Sequence, residues 1–368
     1  MRPATEEEAP RSVPTSTLGE GAGRPAAGWL RRRRRWLLVL AAAIVAGAVA
    51  VGVVVAVRPS PPPQLVVQHP DPTTSPPAAW LSGVSGDGAA DGAFGKWRGR
   101  PVDIAATWVD NDEAMVDLEF LQPGDEYGNW PQALDIAVGA FDDGESWADA
   151  ADGDYDRRWA ESLTNLRELR ADKPGTTYIR FAHEMNGNWY PWHVTADEVA
   201  DFVTAWRRYR ALQRKIFPES RLVFCVSRES VGTGIDWREF FPGARYVDVM
   251  AVDYYNQSPY VESTEDWTDS LGELDTEGSP KGLQQHLDFA RSVGLPLALP
   301  EWSGSAREGD SPAFIKGMYE FLQRHGGDGP GQVLYEIQFN VDRDEGNFVL
   351  FDPHTRMPKS AETYQRLW

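Results

Sequence analysis

From Trp80 to Trp368 two apolar patterns take turns along the chain. Short runs rich in β-branched and apolar residues recur eight times: "WLSGVSG" from Trp80, "VDIAATW" from Val102, "LDIAVGA" from Leu134, "TTYIRFA" from Thr176, "RLVFCVS" from Arg221, "VDVMAVD" from Val247, "LPLALPE" from Leu295 and "VLYEIQF" from Val333. Runs of this length and make-up predict strands. Longer stretches with a helical period lie between several of them. "YDRRWAESLTNLRELRA" puts Trp159, Leu163, Leu166 and Leu169 on one face, and the stretch from Thr195 to Phe217 does the same with Val199, Phe202, Val203 and Trp206. Thr195 followed by Glu198 predicts a capping box, and "KGLQQHLDFARSVG" ends in a glycine stop. Strands that alternate with helices form parallel sheets. Eight of them over about 290 residues predict an α/β fold, a (β/α)8 TIM barrel spanning 80–368. A doubly wound sheet is the alternative, weakened because no glycine-rich phosphate loop follows any strand.

Upstream the pattern changes. Five arginines, Arg31–Arg35, precede an uncharged apolar run from Trp36 to Val57. As a helix that run would be roughly 30 Å long, which matches a bilayer core. It exceeds the apolar region of a secretory signal. The reading is a disordered cytoplasmic tail over 1–35, a transmembrane signal-anchor over 36–57, and a Pro-rich extended linker over 58–79 that holds an extracellular domain off the membrane. A cleaved signal with a long apolar region is the alternative.

The net charge of −19 argues against a nucleic-acid partner, which needs a basic footprint. The single cysteine, Cys225, lies inside an apolar strand pattern and reads as a buried, inert thiol.

In a barrel, chemistry collects at the C-terminal strand ends. Two strand patterns run into glutamate there. "TTYIRFAHE" ends with Glu184 and "LPLALPE" with Glu301. Each is followed at once by aromatic and small residues, "MNGNWYPWH" and "WSGS". A carboxylate at the end of an apolar strand is costly to dehydrate without a purpose or a partner. Two carboxylates across an aromatic-lined mouth suit glycoside hydrolysis, one protonating the leaving oxygen and the other attacking the anomeric carbon or activating water. Flat rings such as Trp189, Tyr190, Trp192 and Trp302 suit the apolar faces of sugars.

These residues carry a family resemblance. "RFAHEMNGNWYPW" resembles the acid/base motif of glycoside hydrolase family 26, known chiefly for endo-β-1,4-mannanases, and "YVDVMAVDYYN" and "LPLALPEWSG" resemble its sixth strand and its nucleophile strand. The resemblance implies a (β/α)8 barrel and a retaining mechanism. It implies Glu184 as general acid/base, Glu301 as nucleophile, and His183, Arg180, Trp189, Trp192 and Tyr255 as substrate-binding residues, with Tyr255 steadying the nucleophile. Trp302, beside Glu301, is expected to join them. No cofactor is expected, and His193, His286, His325 and His354 are scattered without zinc-type spacing, so no metal is expected. Three places depart from the family pattern: "CVSRES", with Arg228 and Glu229; "QFNVD", where Phe339 or Asn340 must serve beneath the sugar; and "VGAFDDGESW", which has no histidine at the end of the third strand. The acid-rich "DDGESWADAADGDYD" lacks the alternating oxygen pattern of a calcium loop and reads as a solvated loop. The expected function is an extracellular, membrane-anchored retaining hydrolase of a β-linked polysaccharide, mannan first. A β-glucanase or β-xylanase, a non-catalytic glycan-binding protein and a surface accessory of polymer biosynthesis are the alternatives.

Overall fold

The computed structural model describes residues 79–109, 114–343 and 347–368. The apolar run over 36–57, its flanking tail and the linker up to residue 78 lie outside the described residues, and no described helix is long and apolar enough to cross a membrane. Eight parallel strands close into a barrel in chain order: β1 (Leu81–Gly86), β2 (Ile104–Val109), β3 (Ala133–Val138), β4 (Thr177–Phe181), β5 (Arg221–Ser227), β6 (Val249–Tyr255), β7 (Leu297–Ser303) and β8 (Val333–Asn340). β8 pairs back onto β1, so the open, doubly wound alternative does not hold.

Two apolar cores follow from the two-residue strand period. Inside the barrel lie Ile104, Ala106, Tyr178, Val223, Cys225, Val249, Ala251, Ala298, Tyr335 and Ile337. The alternate residues face the helices. On β4 every residue is buried, because one face meets the barrel interior and the other meets the helical layer. Phe181 stacks on Tyr209 of the helix Val199–Ile216, ring centroids 3.8 Å apart, and packs edge-on against Trp159 of the helix Asp156–Arg170. Rings of this size each contribute about 2–3 kcal/mol by burial, which pins the strand that leads to Glu184. The capping box at Thr195 and Glu198 forms, and it starts a short 3₁₀ turn that runs into that helix.

β7 departs from regular pairing. The step from Ala298 to Trp302 faces the shorter step Ala251 to Tyr254 on β6, and Leu299 to Trp302 faces Glu336 to Gln338 on β8. Both neighbours place one extra residue on β7 just before Trp302. A bulge of this kind re-aims side chains. Ala298 points inward, so strict alternation would turn Glu301 outward. The inserted residue turns Glu301 into the barrel mouth and Trp302 away from it.

Candidate active site

Glu184 does not end a strand, as its sequence pattern predicts. β4 stops at Phe181, and Ala182 and Glu184 both adopt left-handed backbone with φ 51° and 54°. Non-glycine residues hold this conformation only where their surroundings impose it. Here the Ala182 N–H donates to Val138 of β3 and the Glu184 N–H to Cys225 of β5. Trp189 follows in the same loop, and its indole N–H donates to Glu184 Oε2 at 2.8 Å. Gly187 makes that contact possible, since a Cβ there would lie 2.2 Å from the Trp189 ring.

Glu301 is held differently. Arg180 Nη1 donates to its Oε1 at 2.9 Å and the Tyr255 hydroxyl to its Oε2 at 2.8 Å. Arg180 is fully buried and also bonds Asp135 through Nε at 2.6 Å and Asp253 through Nη1 at 3.2 Å. Asp135 in turn accepts from the Tyr335 hydroxyl. One guanidinium therefore serves three carboxyl groups beneath the mouth. Burial, then the charge of Glu301, pushes Asp253 well toward the protonated form, and burial pushes Asp135 the same way against the charge of Arg180. A buried cluster of this kind is held by its mutual pairing and is broken by removing any one member.

The two glutamates titrate in opposite directions. Burial, then the charge of Glu301, raises Glu184 to about 7, against the hydrogen bond from Trp189, the charge of Arg180 and the nearby Ser227 hydroxyl, which favour the ionised form. Burial also opposes ionisation of Glu301, but Arg180 and the Tyr255 hydroxyl outweigh it and hold the carboxyl below its ordinary value. His183 is neutral near pH 7, with burial and the nearby Arg180 pulling it down to about 3. Its Nε2 meets the Tyr190 hydroxyl at 3.0 Å, while its buried Nδ1 has no protein partner.

Three of the expected sugar contacts are corrected by the packing. Arg180 is enclosed by Asp135, Asp253 and Glu301 and holds the Glu301 carboxyl instead. Trp192 is fully buried under Tyr190, rings 4.6 Å apart, and its N–H is spent on the His183 carbonyl, so it is a floor for His183. Trp302, on the outer side of β7, is fully buried against Trp368 and donates to Glu336. Trp189 is part-exposed beside Glu184, and Tyr255 lies on Glu301. At the β8 end, Asn340 is committed to the backbone of Leu350 and Phe351, while Phe339 faces Tyr255 and Trp108 at 5.7 and 5.9 Å. The Arg228 of the altered β5 end is buried and ties the Tyr255 carbonyl to Glu273.

Sequence reasoning passed over Asp135, Asp253 and Trp108. All three were within reach of a two-residue count. Asp253 is two positions before Tyr255, Trp108 is two after the inward Ala106, and Asp135 pairs in register with Tyr178. In the acidic loop, Ser146 caps a helix and Glu145 pairs with Arg158, and among the described residues no group of three or more His, Cys, Asp or Glu is disposed to hold a metal.

Comparison with known proteins points the same way as the geometry. The model of glycosyl hydrolase family 26 matches residues 105–278. The chain is 25% identical over 221 residues to mannan endo-1,4-beta-mannosidase A and B of Caldalkalibacillus mannanilyticus, covering 50% of this chain and 41% of that protein. It is 25% identical over 153 residues to endoglucanase H of Acetivibrio thermocellus, covering 40% of this chain and 16% of that protein. The chain thus spans less than half the length of either. In structure it is similar to a GH26 beta-mannanase from Bacteroides ovatus, with TM-score 0.54 and 15% identity over 79% of this chain and 88% of that one, a likeness of fold.

Proposed function

Taking as premise that this chain belongs to glycoside hydrolase family 26, β-mannanase-like at low identity, we propose that it cleaves β-1,4-mannan with retention of configuration. The observation that carries this reading is the unlike setting of two glutamates at one barrel mouth. Environments that push two carboxyl groups apart in proton affinity assign the acid and the nucleophile. Glu301, ionised beside Arg180 and Tyr255, attacks the anomeric carbon and forms a glycosyl-enzyme ester. Glu184, protonated near neutrality, gives its proton to the departing glycosidic oxygen. Once ionised, Glu184 takes a proton from water as that water attacks the ester, and both residues return to their starting states. Trp108, backed by the buried Phe339, and Trp189 supply apolar surface for sugar rings.

The names of several relatives support mannan as substrate. A β-glucan is the second reading, favoured by the similarity to endoglucanase H. The test is reducing-end release by the purified chain from mannan, mixed-linkage glucan and xylan, with the anomer of the first product read by proton NMR. Turnover of mannan with a β-configured product is expected. Turnover of glucan alone moves the substrate, and binding without turnover on all three retires the catalytic reading.

The same proposal extends to location. Arg31–Arg35 before the uncharged run 36–57 support a signal-anchor with the domain outside the cell. Protease added to intact cells is expected to remove the domain. Protection until lysis reverses the orientation.

A further inference from the structure

The loop that carries Glu184 leaves the sheet early, yet its backbone is held in a left-handed conformation. Regular pairing of β4 with β5 reaches only Arg180 opposite Val223. Beyond that point one fully buried side chain takes over the task of a strand. Asn186 Oδ1 accepts from the Ser227 N–H at 2.7 Å, and Asn186 Nδ2 donates to the Ser227 carbonyl at 3.0 Å. An amide side chain that bonds both the N–H and the C=O of one residue copies the double bond pattern of a β-ladder. The next residues continue the tie. Val231 N–H donates to the Asn186 carbonyl at 2.9 Å, and Asn188 N–H to the Val231 carbonyl at 3.1 Å, which forms an isolated bridge between Gly187 and Val231. The Ser230 N–H is held by Asp275 at 2.9 Å, so the tie reaches the loop after β6.

Ser227 is the last residue of β5, and its hydroxyl stands near the Glu184 carboxyl, where it favours the ionised form. The residue that Asn186 clamps is therefore a residue that meets the acid. We propose that Asn186 and Ser227 form a positioning clamp that aims Glu184 at the leaving oxygen. Asn186 touches no substrate in this account. It fixes where Ser227 and the backbone of the Glu184 loop stand, while Trp189 holds the second side of the carboxyl. The inference rests on the role proposed for Glu184 and adds the residues that enforce its direction.

A clamp on the general acid makes a different prediction from a clamp on the fold. Loss of acid catalysis costs most where the leaving group needs a proton and least where it does not. Asn186→Ala and Ser227→Ala are to be assayed on mannan and on a dinitrophenyl β-mannoside, with wild-type enzyme as the control for the reading itself. For Asn186→Ala we expect a fall in kcat of about 30-fold or more on mannan, against less than about 3-fold for the glycosylation step on the activated glycoside. Should Asn186→Ala fail to fold, Asn186→Asp keeps the acceptor for the Ser227 N–H and is read the same way. The second readout does not need turnover. Titration of Glu184 by carboxylate ¹³C NMR in the full chain, identified by difference against Glu184→Gln, should shift to higher pH in Ser227→Ala because a hydroxyl that favours the ionised form is gone. Equal losses on both glycosides, or an unmoved Glu184 titration in Ser227→Ala, overturns the clamp. Absence of wild-type turnover alone would overturn the proposed function and leave the titration to decide the clamp.

Discussion

Glu301 stands on an extended strand, its two oxygens taken by a buried guanidinium and a tyrosine hydroxyl, whereas Glu184 stands in a left-handed turn beyond a strand, bonded by the neutral indole N–H of Trp189 with the Ser227 hydroxyl nearby. A nucleophile must be ionised, so a full positive charge suits it. An acid must keep its proton near neutral pH, so a full positive charge would defeat it. Neutral donors can aim a carboxyl without stripping its proton, but they hold less tightly, and the backbone must be fixed by other bonds. The comparison teaches that one barrel mouth supports opposite proton affinities because the guanidinium bonds Glu301 directly and reaches Glu184 only through space, where burial and the charge of Glu301 outweigh it. Asp135 of β3 and Asp253 of β6 hold the same guanidinium from beneath, so its place against Glu301 is fixed from two further strands.

The comparison can be broken most completely on the charged side. Glu301→Ala should lower kcat by at least about 10⁴-fold with the fold intact by circular dichroism, because the covalent step has no other nucleophile. A 2-fluoro-mannosyl inhibitor should label Glu301 in the wild-type chain, and labelling elsewhere would sink the assignment. Arg180→Met should destabilise by about 3–5 kcal/mol in urea unfolding, since it strands buried carboxyl groups. In whatever fraction folds, the acidic limb of the pH–rate profile should rise, because Glu301 loses the cation that favours its charged form.

On the neutral side the effects are smaller and depend on the substrate. Glu184→Ala should lose about 10²–10⁴-fold on mannan and much less in the first step on an aryl glycoside. Azide should speed the second step and give a β-mannosyl azide, and no such product would mean that Glu184 is not the base. The basic limb of wild-type activity should fall near pH 7, where Glu184 loses its proton.

Stability gives a gentler check. Glu184 has a folded-state pKa above its ordinary value, so the unfolded chain ionises first as pH rises. Native stability is then lost between the ordinary carboxyl range and about pH 7. Glu184→Gln should raise the Tm at pH 8 relative to wild type and leave it unchanged at pH 4. An equal shift at both pH values would remove burial of the charge as the cause. The smallest effect is expected at Trp302. Trp302→Phe should cost stability but leave KM for mannan within about 2-fold, because the ring packs behind the barrel and not on the sugar.

The amino-acid sequence by itself determined the eight strands, the helices between them and the two glutamates, because period and composition act locally. "TYIRF" carries apolar residues on both faces and is buried throughout, and Thr195 with Glu198 caps its own helix. Asp135 and Asp253 were legible by the same two-residue count that finds a core face. The direction of Trp302 was not. It depends on one inserted residue in β7, and that bulge exists only relative to the partners on β6 and β8. The same holds for Arg180, whose three acidic partners come from β3, β6 and β7, and for Glu184, whose turn is fixed by bonds to Val138 and Cys225 on neighbouring strands. Proton affinity is the last thing to be set, since it follows from burial and from charges that only closure of the barrel brings together.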